Sequence, residues 1–521
     1  MRRPRTTLST HRASEDKSWQ TRPIVHSRQQ MERPLSSSLR AVVIALGWVL
    51  LSLAIYSFQF SGGWRFDDGH HLAFLMQHSH FEYIYDQEAA RLQSGAHYTP
   101  FNILTYDLAH RLAPLNKPAL FYVFHISLIG LAAAALYSYL SLVAGRAGAI
   151  FGAVIFLCGF PIAGMSGQLM VGHYIVGFAF SGLCLYFYER TARDGFSPLA
   201  VLFYFLACLS KEIFLPLILF PALDPRFGLR QRIYRTIPWF AAAALFWLLR
   251  TFVVANVVGG FNDSLPVNPL TALNDMLGGL HAYATMNAGT AVMCLLITVC
   301  CGLTIASLWQ RFGALPTMMI VSGAIAGTLL PLMPVALQVS PLVPVEIRLL
   351  SGIWFVLSMA AAMALGNVGG WTGARQLRPF LAGTVAVATA WSSINYARTA
   401  PLFLFGREFD TVTRYLVEHN GCYLVDKYGW SSWLYDLNRA VQPQSAPPLM
   451  APREILNVVG EPGHPICEFD SAGIHAAGKV EANSGCVADE RLALDFVYNG
   501  SHLAMNFGPD NESTYYVEVP G

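Results

Sequence analysis

A chain of 521 residues that is 54% hydrophobic and only 13% charged has too little polar surface to be an ordinary soluble enzyme. Apolar runs near 20 residues recur along it, each long enough to cross a bilayer core. The net charge of +2 hides an asymmetry: residues 1–40 hold nine Lys/Arg against three acids, and residues 398–521 hold eight against sixteen. A basic start and an acidic end suit opposite sides of a membrane, and neither points to a nucleic-acid partner.

In chain order, residues 1–38 are rich in Arg, Ser and Gln and lack a period, so a disordered cytoplasmic arm is expected. Leu39 to Phe60 is the first span. No small-x-small cleavage site follows it, which disfavours a signal peptide. Positive charge before this span puts the N-terminus inside and the acids after it outside. Residues 61–117 form a long outer loop with mixed helical signals, and it carries Asp67, Asp68, His70, His71, His78, His80 and Glu82. Further spans are predicted at 118–144, 147–162 (broken at Pro161) and 168–188.

Residues 198–223 decide the topology. They read as one apolar run with Ser210-Lys211-Glu212 in its middle. Both flanks are basic, with Arg190 and Arg193 before it and Arg226, Arg230, Arg232 and Arg235 after it. If both flanks lie inside, the run must go out and return as two short helices, with Lys211 and Glu212 at the outer turn. That arrangement also keeps a Lys–Glu pair out of hydrocarbon. Spans follow at 237–257, 290–309, 315–337, 347–366 and 379–396, giving about eleven crossings. The tail, 398–521, mixes turn signals with short β-rich runs and is expected outside as a small α/β or mostly β domain. The predicted fold class is therefore an all-α polytopic membrane protein: an arm (1–38), a transmembrane domain (39–397) and an extracytoplasmic C-terminal domain (398–521).

Cysteines 158, 184, 208, 294, 300 and 301 lie in apolar runs, where Cys acts as a small hydrophobe. Cys422, Cys467 and Cys486 lie in the tail, and an exported tail could oxidise Cys467 with Cys486. No CxxC occurs, so zinc and thioredoxin-like centres lack support.

Three motifs stand in an informative order: Phe66-Asp67-Asp68-Gly69 after the first span, Leu209-Ser210-Lys211-Glu212 between two short helices, and Val345-Glu346-Ile347-Arg348-Leu349 at the outer start of a late span. In this order and topology, residues 39–396 resemble the GT-C class of polyprenyl-phosphate-sugar-dependent glycosyltransferases, such as protein O-mannosyltransferases and the aminoarabinose transferases of lipid A. Leu349 departs from the Tyr that is frequent in that class. The resemblance implies transfer of a sugar, with inversion, from a polyprenyl phosphate or pyrophosphate to an envelope glycan, lipid or protein, at the outer face of what is then a bacterial inner membrane.

Such a reaction needs a base for the acceptor hydroxyl and cations for the leaving phosphate. Asp67 is the leading candidate base, with Asp68 beside it. Lys211 and Arg348 are the donor-phosphate candidates, and an arginine can grip phosphate oxygens bidentately. His70, His71, His173, Glu212 and Glu346 are candidates to line the same cavity. Each also has a structural reading: loop acid or helix cap for Asp67 and Asp68, hairpin ion pair for Lys211 and Glu212, headgroup anchor for Arg348 and Glu346. No cofactor is required. His70, His71, His78, His80 and Glu82 include the residue types that bind a divalent metal, but histidines in a polar loop more often only make hydrogen bonds. Two other functions fit a polytopic chain: a transporter or flippase for a lipid-linked glycan, disfavoured because no repeated halves are visible, and a non-catalytic membrane scaffold.

Overall fold

The computed structural model describes residues 34–61, 68–93, 97–113, 117–191, 196–254, 277–278, 281, 288–331, 348–367 and 377–399, together with six short strands beyond residue 422. Asp67, Glu346, the side chain of His70, most of the arm and the tail cysteine side chains lie outside the described residues.

Up to residue 399 every regular element described is helical. Helix α1 is Pro34–Ile55. The loop expected on the outer side, residues 61–117, holds α2 (Asp68–Gln77), α3 (Glu82–Tyr85), α4 (Gln87–Gln93) and α5 (Pro100–Leu112). Then come α6 (Pro118–Val143), α7 (Gly145–Leu157), α8 (Phe160–Ser166), α9 (Gly172–Thr191), α10 (Pro198–Ser210), α11 (Leu219–Leu223) and α12 (Leu229–Val254). Later helices are α13 (Ala288–Phe312), α14 (Ala314–Leu329), α15 (Ser351–Asn367) and α16 (Leu377–Thr399). Among the described residues, six helices are long and apolar enough to cross a membrane, or seven if the bent pair α7 and α8 counts as one span. This is a multi-pass, all-α architecture. The chain divides into residues 1–44 and 45–521, and the packed core belongs to the second unit.

The core lies where α6, α7, α9, α10 and α15 pack together, and it is rich in Ala, Phe and Leu. By contrast α12 and α13 leave many large apolar side chains exposed, among them Leu245, Leu248, Phe252, Leu295 and Val299. Such faces suit lipid.

The predicted break at Pro161 falls instead at Cys158–Gly159, with a bend of 52°. Pro161 sits in the first turn of α8, where its missing N–H costs nothing. A broken helix frees carbonyls that lipid cannot satisfy. Here other elements meet them: Trp354 Nε1 donates to Ile155 O at 2.9 Å, Tyr56 Oη to Leu157 O at 2.6 Å, and the His125 ring Nε2 lies 2.9 Å from Met165 O. Gly159 is required at this bend, because a Cβ there would fall inside the Trp354 ring.

The re-entrant reading of 198–223 is visible in the contacts. Helix α10 ends at Ser210, Lys211 is extended (φ −164°, ψ 143°), and a 3-10 turn, Glu212–Ile218, leads into α11. Tyr204 Oη donates to Leu215 O at 2.9 Å. In one continuous helix those residues would stand about 16 Å apart along the axis, beyond a tyrosine's reach, so the chain folds back at Lys211. Its two ends then meet. Arg226 holds Glu189 bidentately at 2.6 and 2.9 Å and Asp224 at 2.7 Å, while Tyr188 donates to Asp224 at 2.8 Å. The basic flanks before and after the run therefore sit at one end of the bundle, and Lys211 points away from it. The outer loop belongs to the opposite end, since Gln87 Nε2 donates to Phe252 O, near the finish of α12, at 2.8 Å.

Among the described residues, strands occur only in the tail. Tyr423–Asp426 pairs in parallel with Cys467–Phe469 and with Leu492–Ala493. Asp495–Tyr498, His502–Phe507 and Ser513–Glu518 form an antiparallel meander.

Candidate functional site

Asp68 opens α2, where a carboxylate complements the helix N-terminus, and it is buried. Tyr106 Oη, from α5, donates to its Oδ1 at 2.7 Å. Three residues on, the buried His71 ring is flanked by two carboxamides, Gln93 at Nδ1 and Asn102 at Nε2 (2.9 Å), and it packs edge-on to Tyr106 at 5.0 Å. A buried imidazole needs both nitrogens met, and α4 and α5 supply those partners. Asp68 and His71 thus form one locally held polar cluster. The other loop histidines are engaged elsewhere. His78 pairs with Glu82 at 3.0 Å, and His80 pairs with Asp107 at 2.8 Å, which also takes Arg111. Among the described residues no three His, Cys, Asp or Glu side chains are placed to hold a metal.

Lys211, at the fold-back, is buried at 6% exposure. Its Nζ lies 3.9 Å from Glu212 Oε2 and 5.7 Å from the centre of the Tyr174 ring. Glu212 Oε1 in turn lies 3.3 Å from Nδ1 of His97, so the hairpin tip docks on the outer loop. Burial, then the nearby Lys211 charge, pushes the His97 imidazole below its ordinary 6.5, against the opposing pull of Glu212.

Arg348 stands just before α15, with Leu349 and Leu350 buried behind it. One guanidinium nitrogen lies 3.9 Å from the Met170 sulfur. Met170 belongs to a 3-10 turn, Leu169–Val171, that runs directly into α9. The mouth of α9 is therefore the meeting point: Met170 touches Arg348, and Tyr174, one turn on, receives Lys211. His173 lies between them, buried and within electrostatic reach of Lys211, Arg348, His97 and His71. Helix α5 closes in on the same mouth, because Gly172 leaves room only for the Thr105 hydroxyl, which a Cβ would approach to 2.7 Å. Thr105 adjoins Tyr106, the partner of Asp68, so the helix that holds Asp68 also packs against the mouth of α9.

Of the residues chosen from sequence, the structure brings Asp68, His71, His173, Lys211, Glu212 and Arg348 to one end of the bundle. Asp67, Glu346 and the His70 side chain fall outside the described residues. Three further residues, not singled out by any motif, lie at the same end. Arg250, near the end of α12, is fully buried and within electrostatic reach of Lys211; a lone arginine inside the apolar run Phe246–Phe252 is the available signal. His97 carried no signal beyond being one more loop histidine. Tyr106 carries no signal in the sequence that sets it apart from other helix residues.

No model of a known protein family matches this chain, and no curated protein matches it.

Proposed function

We propose that this protein is a GT-C-type glycosyltransferase. It takes a sugar from a polyprenyl phosphate or pyrophosphate and transfers it, with inversion, to an envelope glycan, lipid or protein on the outer face of a bacterial inner membrane. In this reading the chain crosses about eleven times, with its N-terminus cytoplasmic and residues 398–521 extracytoplasmic as a small separate domain.

One observation carries the reading. Lys211 and Arg348, 137 positions apart in the sequence, are both held against the mouth of α9 at the end of the bundle that bears the outer loop. A buried lysine and a half-buried arginine gathered at a bundle end suit a lipid-borne phosphate, which reaches the site along the membrane rather than from water. Arg250 adds a further positive charge nearby.

The chemistry follows from those residues. Asp67 takes the proton of the acceptor hydroxyl as its oxygen attacks the anomeric carbon. The bond from that carbon to the phosphate oxygen breaks on the opposite face, which inverts the centre. The departing phosphate gains negative charge, and Lys211 and Arg348 stabilise it where it develops. Asp68, tied to Tyr106, holds the start of α2.

The test is transfer by purified protein in proteoliposomes, supplied with sugar-bearing polyprenyl phosphates, together with mass spectrometry of envelope glycans from cells with and without the chain. Asp67→Asn is expected to lower transfer by about 100-fold or more while the protein still inserts. Full activity in that variant would remove the base.

A further inference from the structure

The segment that gathers the cations also carries two buried polar atoms of a different kind. Gln168 precedes the Leu169–Val171 turn, and His173 is the second residue of α9. They are 3% and 7% exposed. The Gln168 amide nitrogen donates to Gly164 O at 3.3 Å, which fixes the carboxamide and leaves Oε1 with no partner among the described residues. Nδ1 of His173 likewise has none among them. Polar atoms left unmet inside a protein cost stability, and two of them stand on either side of Met170, the residue Arg348 touches.

The two kinds of group ask for different chemistry. Guanidinium and ammonium groups suit phosphate oxygens. A carboxamide oxygen can only accept, and an imidazole nitrogen accepts or donates according to tautomer; both suit hydroxyl groups. A single ligand that satisfies both sets is a polyhydroxylated ring joined to a phosphate.

The geometry points to Gln168 and His173 as the hydroxyl-recognising residues at the mouth of α9, binding the ring of the donor sugar while Lys211 and Arg348 bind its phosphate. This rests on the donor-phosphate reading above and adds a consequence to it. The sugar-loaded lipid binds more tightly than the bare polyprenyl phosphate left after transfer, so the spent lipid is released.

The experiment compares dissociation constants for bare polyprenyl phosphate and for a panel of polyprenyl phosphates bearing a hexose or a pentose, using the full chain in nanodiscs. Wild type is expected to bind at least one sugar-bearing lipid about tenfold more tightly than the bare lipid, the worth of one hydrogen bond. Gln168→Met and His173→Phe keep volume but lose the polar atom. Each should lower that preference severalfold, and the double variant should erase it, leaving affinity for the bare lipid within about twofold, as expected when only hydroxyl contacts are lost. His173→Asn, which keeps a hydrogen-bonding group, should retain part of it.

Variants that keep the preference, or that weaken both lipids equally, would overturn the proposal by showing a packing role only. If wild type shows no preference while Lys211→Met still weakens bare-lipid binding, the sugar contacts are wrong and the phosphate site stands. If bare-lipid binding ignores Lys211, both readings fall together.

Discussion

His97 offers the most direct probe of how the hairpin tip meets the outer loop. Its folded imidazole resists protonation more than an unfolded one does. Above about 6.5 both states are neutral, and the contribution to stability is complete. As pH falls through that value the unfolded chain takes up a proton that the folded site refuses, so stability is lost on the acid side. Thermal melts of detergent-solubilised protein on either side of that pH should therefore show acid lability, and His97→Gln should flatten it; an unchanged slope would place His97 outside the tip. Lys211 and Arg348 were legible in the sequence because charged residues beside apolar spans are costly and stand out. Their partners were not. Tyr174, Met170 and His97 become relevant only once α9, the fold-back and the outer loop are packed together.

At the level of elements, the breaks matter more than the long helices. The break at Lys211 is legible in the chain itself, since basic flanks on both sides require a return. The other is not, because a proline reads as a breaker while the actual bend needs Gly159 against Trp354. Gly159→Ala is expected to force the indole away and unseat its bond to Ile155, costing about 1–3 kcal/mol as overpacked cores do; a melt unchanged by that substitution would mean the bend adapts freely. Tyr204→Phe removes only the hydroxyl that spans the fold-back and should cost about 1 kcal/mol in the same melts. Six of the nine cysteines fall in apolar runs, and they are free thiols in helices or at the break. The tail pairing of Cys467 with Cys486 lies outside the described residues.

For the whole molecule, the ion-pair cluster of Glu189, Asp224 and Arg226 binds two segments of chain at one end, and Lys211, Arg348 and His173 gather at the other. Single cysteines introduced at Arg190 and Arg230 should accordingly react with a membrane-impermeant thiol reagent from the same side, and a cysteine at Gln87 from the opposite side; labelling of Arg190→Cys and Arg230→Cys from different sides would undo the fold-back. The multi-pass helical class was legible from apolar runs and charge asymmetry alone, because bilayer thickness sets span length. Convergence of residues from three distant regions was not, since it depends on how helices pack.

In the proposed mechanism, Lys211 and Arg348 share one lipid phosphate. Binding of polyprenyl phosphate to the full chain in nanodiscs, measured for wild type, Lys211→Met and Arg348→Gln, tests it most directly. Loss of a charge-assisted hydrogen bond predicts roughly ten- to hundredfold weaker binding in each variant, and wild-type affinity in either one would contradict the claim.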